Sequence, residues 1–349
     1  MVVKKYKFIF LSALFLIGLQ YFTGLIKINF VNSMKPNLII YSYSSFTAKW
    51  GPGPIIKKKF EEQCHCKVEM READDSRLLI QRLVMEGDRS DADVIIGINQ
   101  WDLSQSLEKL NFKREFWPLE MNLEDENFKA TLGEPGELVP FDWGIFAFNT
   151  KGDSKISKAK NLNEFLSLLP KNGLVLQDPR TSAPGLSLLN WLVQVLGEDK
   201  AFQYLDLLSE KIFTITSGWS SSYGLFQKGQ AQSVFSYVTS PLYHLIEEND
   251  KNYKALSFQE GLPMHVEFAG VMKTCKNCLM AKEFIQFLLT PNIQSILMKK
   301  NYMFPIDKNV LAKTPWDIES KYKVLPFRKI SKEDQDRILE RWTMWSRKR

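Results

Sequence analysis

Six aromatic residues stand in polar turns along this sequence: Tyr43, Trp50, Trp219, Tyr223, Tyr237 and Tyr243. Hydroxyl side chains lie beside them, among them Ser76, Thr181, Ser182, Thr239 and Ser240, and Asp75 adds a carboxylate. Ring faces stack on flat heterocycles and attract cations, each cation contact contributing about 0.5 to 2 kcal/mol depending on desolvation. A carboxylate nearby would complete a cation site. Any one ring reads equally well as core packing, but recurrence at turn after turn points to ligand binding. A second kind of chemistry belongs to Asp178-Pro-Arg-Thr-Ser-Ala-Pro-Gly185. It follows an apolar run at 173–177 and opens a periodic apolar segment at 186–196, so it reads as strand, polar turn and helix N-terminus. The first turn of a helix presents unpaired backbone N–H groups and the positive end of the dipole, and Thr181 and Ser182 add hydroxyls where an anion would dock. Pro184 suits that first turn, and an ordinary N-cap by Ser182 accounts for the same residues without a ligand.

Catalytic templates are missing. The sequence holds no Gly-x-x-x-x-Gly-Lys-[Ser/Thr] phosphate loop, no Gly-x-Ser-x-Gly nucleophile elbow and no His-Glu-x-x-His zinc helix. Its three histidines, His65, His244 and His265, belong to no recognisable motif.

These residues need a frame that brings distant turns together. The run Leu38-Ile-Ile-Tyr41 reads as a buried strand, followed by the rigid turn Trp50-Gly-Pro-Gly-Pro54 and a helix near 55–63. A strand at 68–71, a helix at 77–86 capped by Asp74-Asp75-Ser76, and a strand at 92–98 continue the alternation. Alternating strands and helices favour a mostly parallel sheet with the ligand beyond the strands' C-terminal ends, where Tyr43, Trp50, Asp75 and Asn99 fall. The long apolar segment at 139–149 is suited to carry the chain into a second α/β unit. That unit holds a strand at 212–216, a polar stretch Ser217 to Tyr223, a helix at 224–228, and a strand at 233–237 leading into the turn Val238-Thr-Ser-Pro-Leu-Tyr-His244. A strand at 266–272 and helices at 280–289 and from 292 follow, and the charged C-terminal portion ends as a helix.

With 349 residues, 44% hydrophobic and 25% charged, the chain is long enough for two domains with their own cores. The net charge of +6 comes from scattered lysines, with no basic stripe interleaved with aromatics, so nucleic acid is not an expected partner. Residues 1–33 differ: Lys4, Lys5 and Lys7 precede an apolar stretch at 8–26, which reads as a signal sequence or an N-terminal membrane anchor. Both imply export. Four cysteines form two close pairs, Cys64 with Cys66 and Cys275 with Cys278. An oxidising exterior permits disulfides, although a ring closed between Cys64 and Cys66 is very small; structural, unreactive cysteines are the simpler reading, with shared zinc the alternative.

Several long motifs, in order, resemble the thiamine-binding periplasmic proteins of bacterial ABC transporters. They are Tyr41-Ser-Tyr-Ser-Ser-Phe, Trp50-Gly-Pro-Gly-Pro-Ile-Ile-Lys-Lys, Phe60-Glu-x-x-Cys64-x-Cys66, Asp178-Pro-Arg-Thr-Ser-x-Pro-Gly-Leu186, Gly218-Trp-Ser-x-x-Tyr-Gly-Leu-Phe-x-Lys-Gly229 and Ser236-Tyr-x-Thr-Ser-Pro-x-Tyr-His244. The resemblance implies an α/β type II periplasmic-binding-protein fold, two α/β lobes joined by two hinge strands, with lobe 1 at 34–145 and 237–349 and lobe 2 at 146–236. It implies a periplasmic protein, free or tethered to the inner membrane, that binds thiamine, thiamine monophosphate or thiamine diphosphate and delivers it to a permease and ATPase, with no catalysis, no cofactor and no metal. Carried over by position, the ligand residues are Tyr43, Trp50, Asp75, Ser76, Ser182, Ala183, Trp219, Tyr237, Val238, Thr239, Ser240 and Tyr243. Ser44, Ser76 and Ala183 depart from the family pattern, and Ala183 removes a hydroxyl beside the expected phosphate position. Cys275-Lys-Asn-Cys278 has no counterpart in it. The same architecture carrying ferric ion or a polyamine, and a thiamine-degrading enzyme with a cysteine nucleophile, are the competing readings.

Overall fold

Strand β1 (Leu38–Tyr43) is buried along its whole length, as an apolar run flanked by parallel neighbours on both sides must be. In the computed structural model, which describes residues 38–103, 108–113 and 136–348, β1 pairs in parallel with β2 (Val68–Ala73) and β3 (Val94–Asn99). The segment 1–33 read as signal or anchor lies outside the described residues; within them, no helix is long and apolar enough to cross a membrane. Helices α1 (Ser44–Thr47), α2 (Gly53–Cys64) and α3 (Ser76–Glu86) make the crossovers.

The element that organises the molecule is β4 (Leu138–Lys151). Its first half pairs antiparallel with β9 (Leu262–Val271), from Leu138 opposite Gly270 to Ile145 opposite Met264. Its second half pairs antiparallel with β7 (Ser233–Tyr237), from Phe146 opposite Tyr237 to Thr150 opposite Ser233. One strand therefore belongs to two sheets: β2-β1-β3-β9-β4 on one side, and β4-β7-β5-β6 on the other, with β5 (Leu174–Gln177) and β6 (Ile212–Thr216). The short β8 (Tyr253–Ala255) pairs with the far end of β4, and 256–261 lead the chain back into β9. This is the two-lobed α/β architecture that the sequence implies.

The second lobe adds α4 (Leu162–Leu168), α5 (Ala183–Leu196), α6 (Glu198–Leu208), α7 (Trp219–Gln227) and α8 (Ser240–Glu247). Two of these differ from the sequence reading. Helix α7 begins at Trp219 rather than 224, and α8 occupies what reads as a turn. Hydroxyl-rich starts hide the apolar period in both, while Pro241 at the start of α8 is the signal that a helix begins there. Helix α5 starts three residues before the periodic run, at Ala183, and Gly185 lets it close on the end of β5: a Cβ there would stand 2.6 Å from the Gln177 carbonyl oxygen.

Each lobe has its own core. In the first, Phe60 of α2 packs edge-on against Phe284 of α9 (Cys278–Leu288) at 5.0 Å, and α10 (Pro291–Asn301) follows. In the second, Trp191 is fully buried, stacks near Phe235 and Phe258, and donates its indole N–H to the Gly261 carbonyl at 3.0 Å. Beyond β10 (Phe304–Pro305), α11 (Lys308–Leu311) and β11 (Val324–Leu325) comes α12 (Lys332–Arg347). This closing helix, counted with the first lobe from sequence, lies against the second: Asn190 donates to Gln335 at 2.9 Å, Arg337 pairs with Glu198 at 2.7 Å, and Trp342 and Trp345 enter the same core as Trp191. Both close cysteine pairs are bonded, Cys64 to Cys66 and Cys275 to Cys278. The small ring at 64–66 is accommodated by His65, whose φ of 51° folds the backbone back on itself at the end of α2.

Candidate ligand-binding site

Between the lobes lies a cavity of about 470 Å³. From the first lobe it is lined by Tyr43 at the end of β1, Trp50 in the loop before α2, and Asp75 and Ser76 at the start of α3. From the second it is lined by Ala183 at the start of α5, Trp219 at the start of α7, Tyr237 at the end of β7, and Ser240 and Tyr243 on α8. The remaining three of the twelve sequence candidates stand behind this wall. Ser182, Val238 and Thr239 are buried and do not line the cavity: Val238 belongs to the second lobe's core, Ser182 donates to Asp75 at 2.9 Å, and Thr239 donates to the Tyr302 carbonyl.

The rings are held in fixed attitudes. Trp219 stacks on Tyr223 with centroids 4.9 Å apart and donates its indole N–H to Ser236 Oγ at 2.8 Å. Ser236 shares a hydrogen bond with Ser240 at 2.8 Å, which also accepts from the Tyr237 N–H at 3.2 Å. Tyr237 stacks on Phe146 at 4.5 Å, and Tyr243 meets Tyr302 edge-on at 5.5 Å. Beneath Tyr223, His244 accepts or donates at 2.9 Å, lies flat on Tyr253 at 3.4 Å and reaches Glu248 at 2.6 Å; burial lowers its pKa even so. Trp50 is the exception, 54% exposed at the mouth.

Asp75 makes the principal polar contact between the lobes. It occupies the N-cap position of α3, yet its side chain makes no cap hydrogen bond. It reaches across the cleft instead, where Oδ1 accepts from the Ala183 N–H at 2.9 Å, and Oδ2 from the Ser182 hydroxyl at 2.9 Å and the Trp219 N–H at 3.4 Å. A protein carboxylate thus sits where two helix N-termini of the second lobe converge, the position that the sequence suggests for an anion. Burial pushes its pKa up to about 6 against the opposing pull of those donors. Around it, Ser217 donates to Asp74 at 2.7 Å, Arg77 to the Pro179 carbonyl and Gln81 to the Arg180 carbonyl at 3.3 Å. The lips of the cleft are drawn together.

Sequence reasoning missed the floor of the cavity. His265 and Glu267 of β9, with Asn301 at the end of α10 and Tyr302 and Met303 after it, line that floor. The Tyr43 hydroxyl donates to Glu267 Oε2 at 2.6 Å, and the Asn301 amide donates to Asp142 Oδ2 at 2.8 Å and to the Tyr43 oxygen at 3.0 Å. The available signal was two polar residues, at i and i+2, inside an otherwise apolar strand.

A family model described as bacterial extracellular solute-binding protein matches residues 56–323. The chain belongs to that family. As a solute-binding protein it is 39% identical over 273 residues to the thiamine-binding periplasmic protein of Salmonella typhimurium, covering 78% of this chain and 81% of the relative. It is 38% identical over 277 residues to the Escherichia coli protein of the same name, with the same coverage of both chains. A solved periplasmic thiamin binding protein matches with a TM-score of 0.75 and 35% identity, over 90% of this chain and 95% of that one. For a solute-binding protein, ring faces and polar groups converging on a cavity between two lobes are the expected machinery of capture.

Proposed function

We propose that this protein is exported, captures thiamine or a thiamine phosphate in the cleft between its lobes, and hands it to the permease and ATPase subunits of an ABC transporter. The observation that carries the ligand is the likeness to relatives named for thiamine along 81% of their length; the cleft chemistry supports it. Thiamine joins two heterocycles, one a permanent cation, and ring faces suit both. In this reading Trp219, Tyr237 and Tyr243 hold the heterocycles from the second lobe, and Tyr43 and Trp50 close on them from the first. Ser76, Ala183 and Ser240 edge the site, while Ser182, Val238 and Thr239 shape it from behind. The first crossing between the lobes lies at 145/146, which the change of β4's partners between Ile145 and Phe146 supports; the sequence reading puts the return at 236/237, but the pairing of β8 with the second-lobe end of β4 favours a return at 256–261. Residues 1–33 serve export to the periplasm, as a signal sequence or as a tether to the inner membrane. The protein acts by binding, without cofactor or metal.

The competing ligands find less support. A ferric site on Tyr237 and Tyr243 would need phenolates, and burial, followed by the charges of Glu267, Asp75 and Asp142, holds the Tyr237 hydroxyl well above its ordinary pKa. A thiamine-degrading enzyme would need a thiolate, and all four cysteines are bonded in pairs. The test is calorimetric titration of the full chain, kept in mild detergent, with thiamine, its monophosphate and its diphosphate in parallel. Saturable one-to-one binding of at least one is expected. A folded protein that takes none of the three would remove the proposed ligand.

A further inference from the structure

The floor of the cleft carries two carboxyl groups and, among the described residues, no lysine or arginine paired with either. Asp142 on β4 and Glu267 on β9 face each other in register across the two strands. Asp142 is fully buried and Glu267 is 6% exposed. Their partners are neutral or weak: Tyr43 and Asn301 bridge them, Asn301 standing 3.5 Å from Glu267 Oε2, and His265 Nε2 lies 3.4 Å from Glu267 Oε1. Among the described residues, no lysine or arginine forms an ion pair with either carboxyl. Two polar atoms at this floor, Asp142 Oδ1 and His265 Nδ1, have no hydrogen-bond partner, although both side chains are at least 99% buried. Burial first, then the charge of Glu267, holds the Asp142 carboxyl well above the carboxylate range. A desolvated carboxylate such as Glu267 opposes folding unless a positive charge is brought to it.

We propose that Glu267, backed by Asp142, is the counter-charge for a cationic ligand in the cleft, and that it, rather than Asp75, selects for positive charge. Asp75 already has a counter-charge: it accepts from Ser182 and from the backbone N–H groups of Ala183 and Trp219, which open α5 and α7, so the positive ends of two helix dipoles face it. Of the remaining lining carboxylates, Glu267 is the one that is buried and has no lysine or arginine partner among the described residues. Glu247 is half exposed and paired with Lys300 at 3.3 Å, and Asp74 is taken by Ser217. Tyr43 holds Glu267 in place from the first lobe, and the ring of Tyr237, from the second, lies 5.9 Å from that of His265, in the lining of the same cavity. Identifying the cation as thiamine's thiazolium rests on the proposed function above; the counter-charge itself does not.

The experiment compares the wild type with Glu267→Gln and Asp75→Asn. Gln keeps the acceptor for Tyr43 and removes the charge. Heat denaturation of the ligand-free proteins at neutral pH is expected to show Glu267→Gln melting higher than the wild type, because an uncompensated charge has been removed. Titration is expected to show thiamine bound about thirtyfold or more weakly by Glu267→Gln, as when one partner of a buried charge pair is lost. Binding of the neutral isostere with thiophene in place of thiazolium should be unchanged. A lower melting temperature in Glu267→Gln, equal weakening of both ligands, or loss of charge selectivity in Asp75→Asn instead would overturn the proposal. A wild type that binds neither compound, with Glu267→Gln still melting higher, would remove thiamine as the ligand and leave the counter-charge standing.

Discussion

Asp75→Ala is expected to destabilise the closed molecule by about 3 kcal/mol, because it strands the Ser182 hydroxyl and the Ala183 N–H that the carboxylate now accepts. Asp75→Asn should cost less, since an amide oxygen can still accept from Ala183. Comparison of the Asp75→Asn variant with the wild type also isolates the charge. The carboxyl titrates near 3.8 when unfolded and at about 6 in the folded protein, so the folded state holds the proton more tightly. Its contribution to stability is therefore fully present below about pH 4 and is lost as pH rises through about 6, a change of about 3 kcal/mol. Urea unfolding from pH 4 to 7 should show the wild type losing stability relative to the Asp75→Asn variant across that window. Parallel curves for the two proteins would mean that Asp75 is not the titrating contact.

Gly97→Ala should be comparably severe for a different reason. Gly97 sits at the irregularity in β3 between Ile96 and Ile98, with φ of +103°, where L side chains are strained. A Cβ there would stand 2.3 Å from Cδ1 of Tyr43. The ring cannot slide aside, because its hydroxyl is bonded to Glu267 and Asn301 and its face meets Phe46 edge-on. Backbone strain and overlap together should cost about 3 kcal/mol or more, and ligand affinity should fall with them as Tyr43 leaves its place. Gly229→Ala is the control, with φ of +70° and open space around its Cβ. If the two variants melt together, Gly97 is not what seats Tyr43.

Much of the frame could be read in the sequence because local chemistry decided it. The strand at 174–177, the Asp178 turn and the helix beginning beside Pro184 follow from turn residues and apolar period alone. The long apolar run at 139–149 announced a strand passing between units, and that strand spans Leu138–Lys151. What stayed hidden was set by tertiary contacts. Asp75 looks like a helix cap, and no local feature says that its side chain will cross the cleft to Ser182, 107 residues on. Glu267 and His265 read as interruptions of a buried strand, and only the pairing of β9 with β4 sets them opposite Asp142 and Gly144 in the floor of the cleft. Helix α8 was legible at Pro241 and obscured by the hydroxyls before it.

The placing of β9 between β3 and β4 has a consequence for how the protein is made. Val94 of β3 waits for Val271, and Leu138 of β4 for Gly270, so the central seam of the first sheet stays open until the chain has emerged past residue 271. A chain that emerges N-terminus first must hold the facing edges of β3 and β4 unpaired during that interval, which is slow to resolve and prone to wrong association. The strands β5, β6 and β7 find one another within a much shorter stretch. Pulsed hydrogen exchange during refolding should find amides of Val175 and Val234 protected before those of Ile96 and Ala269; simultaneous protection would mean that the seam does not limit assembly.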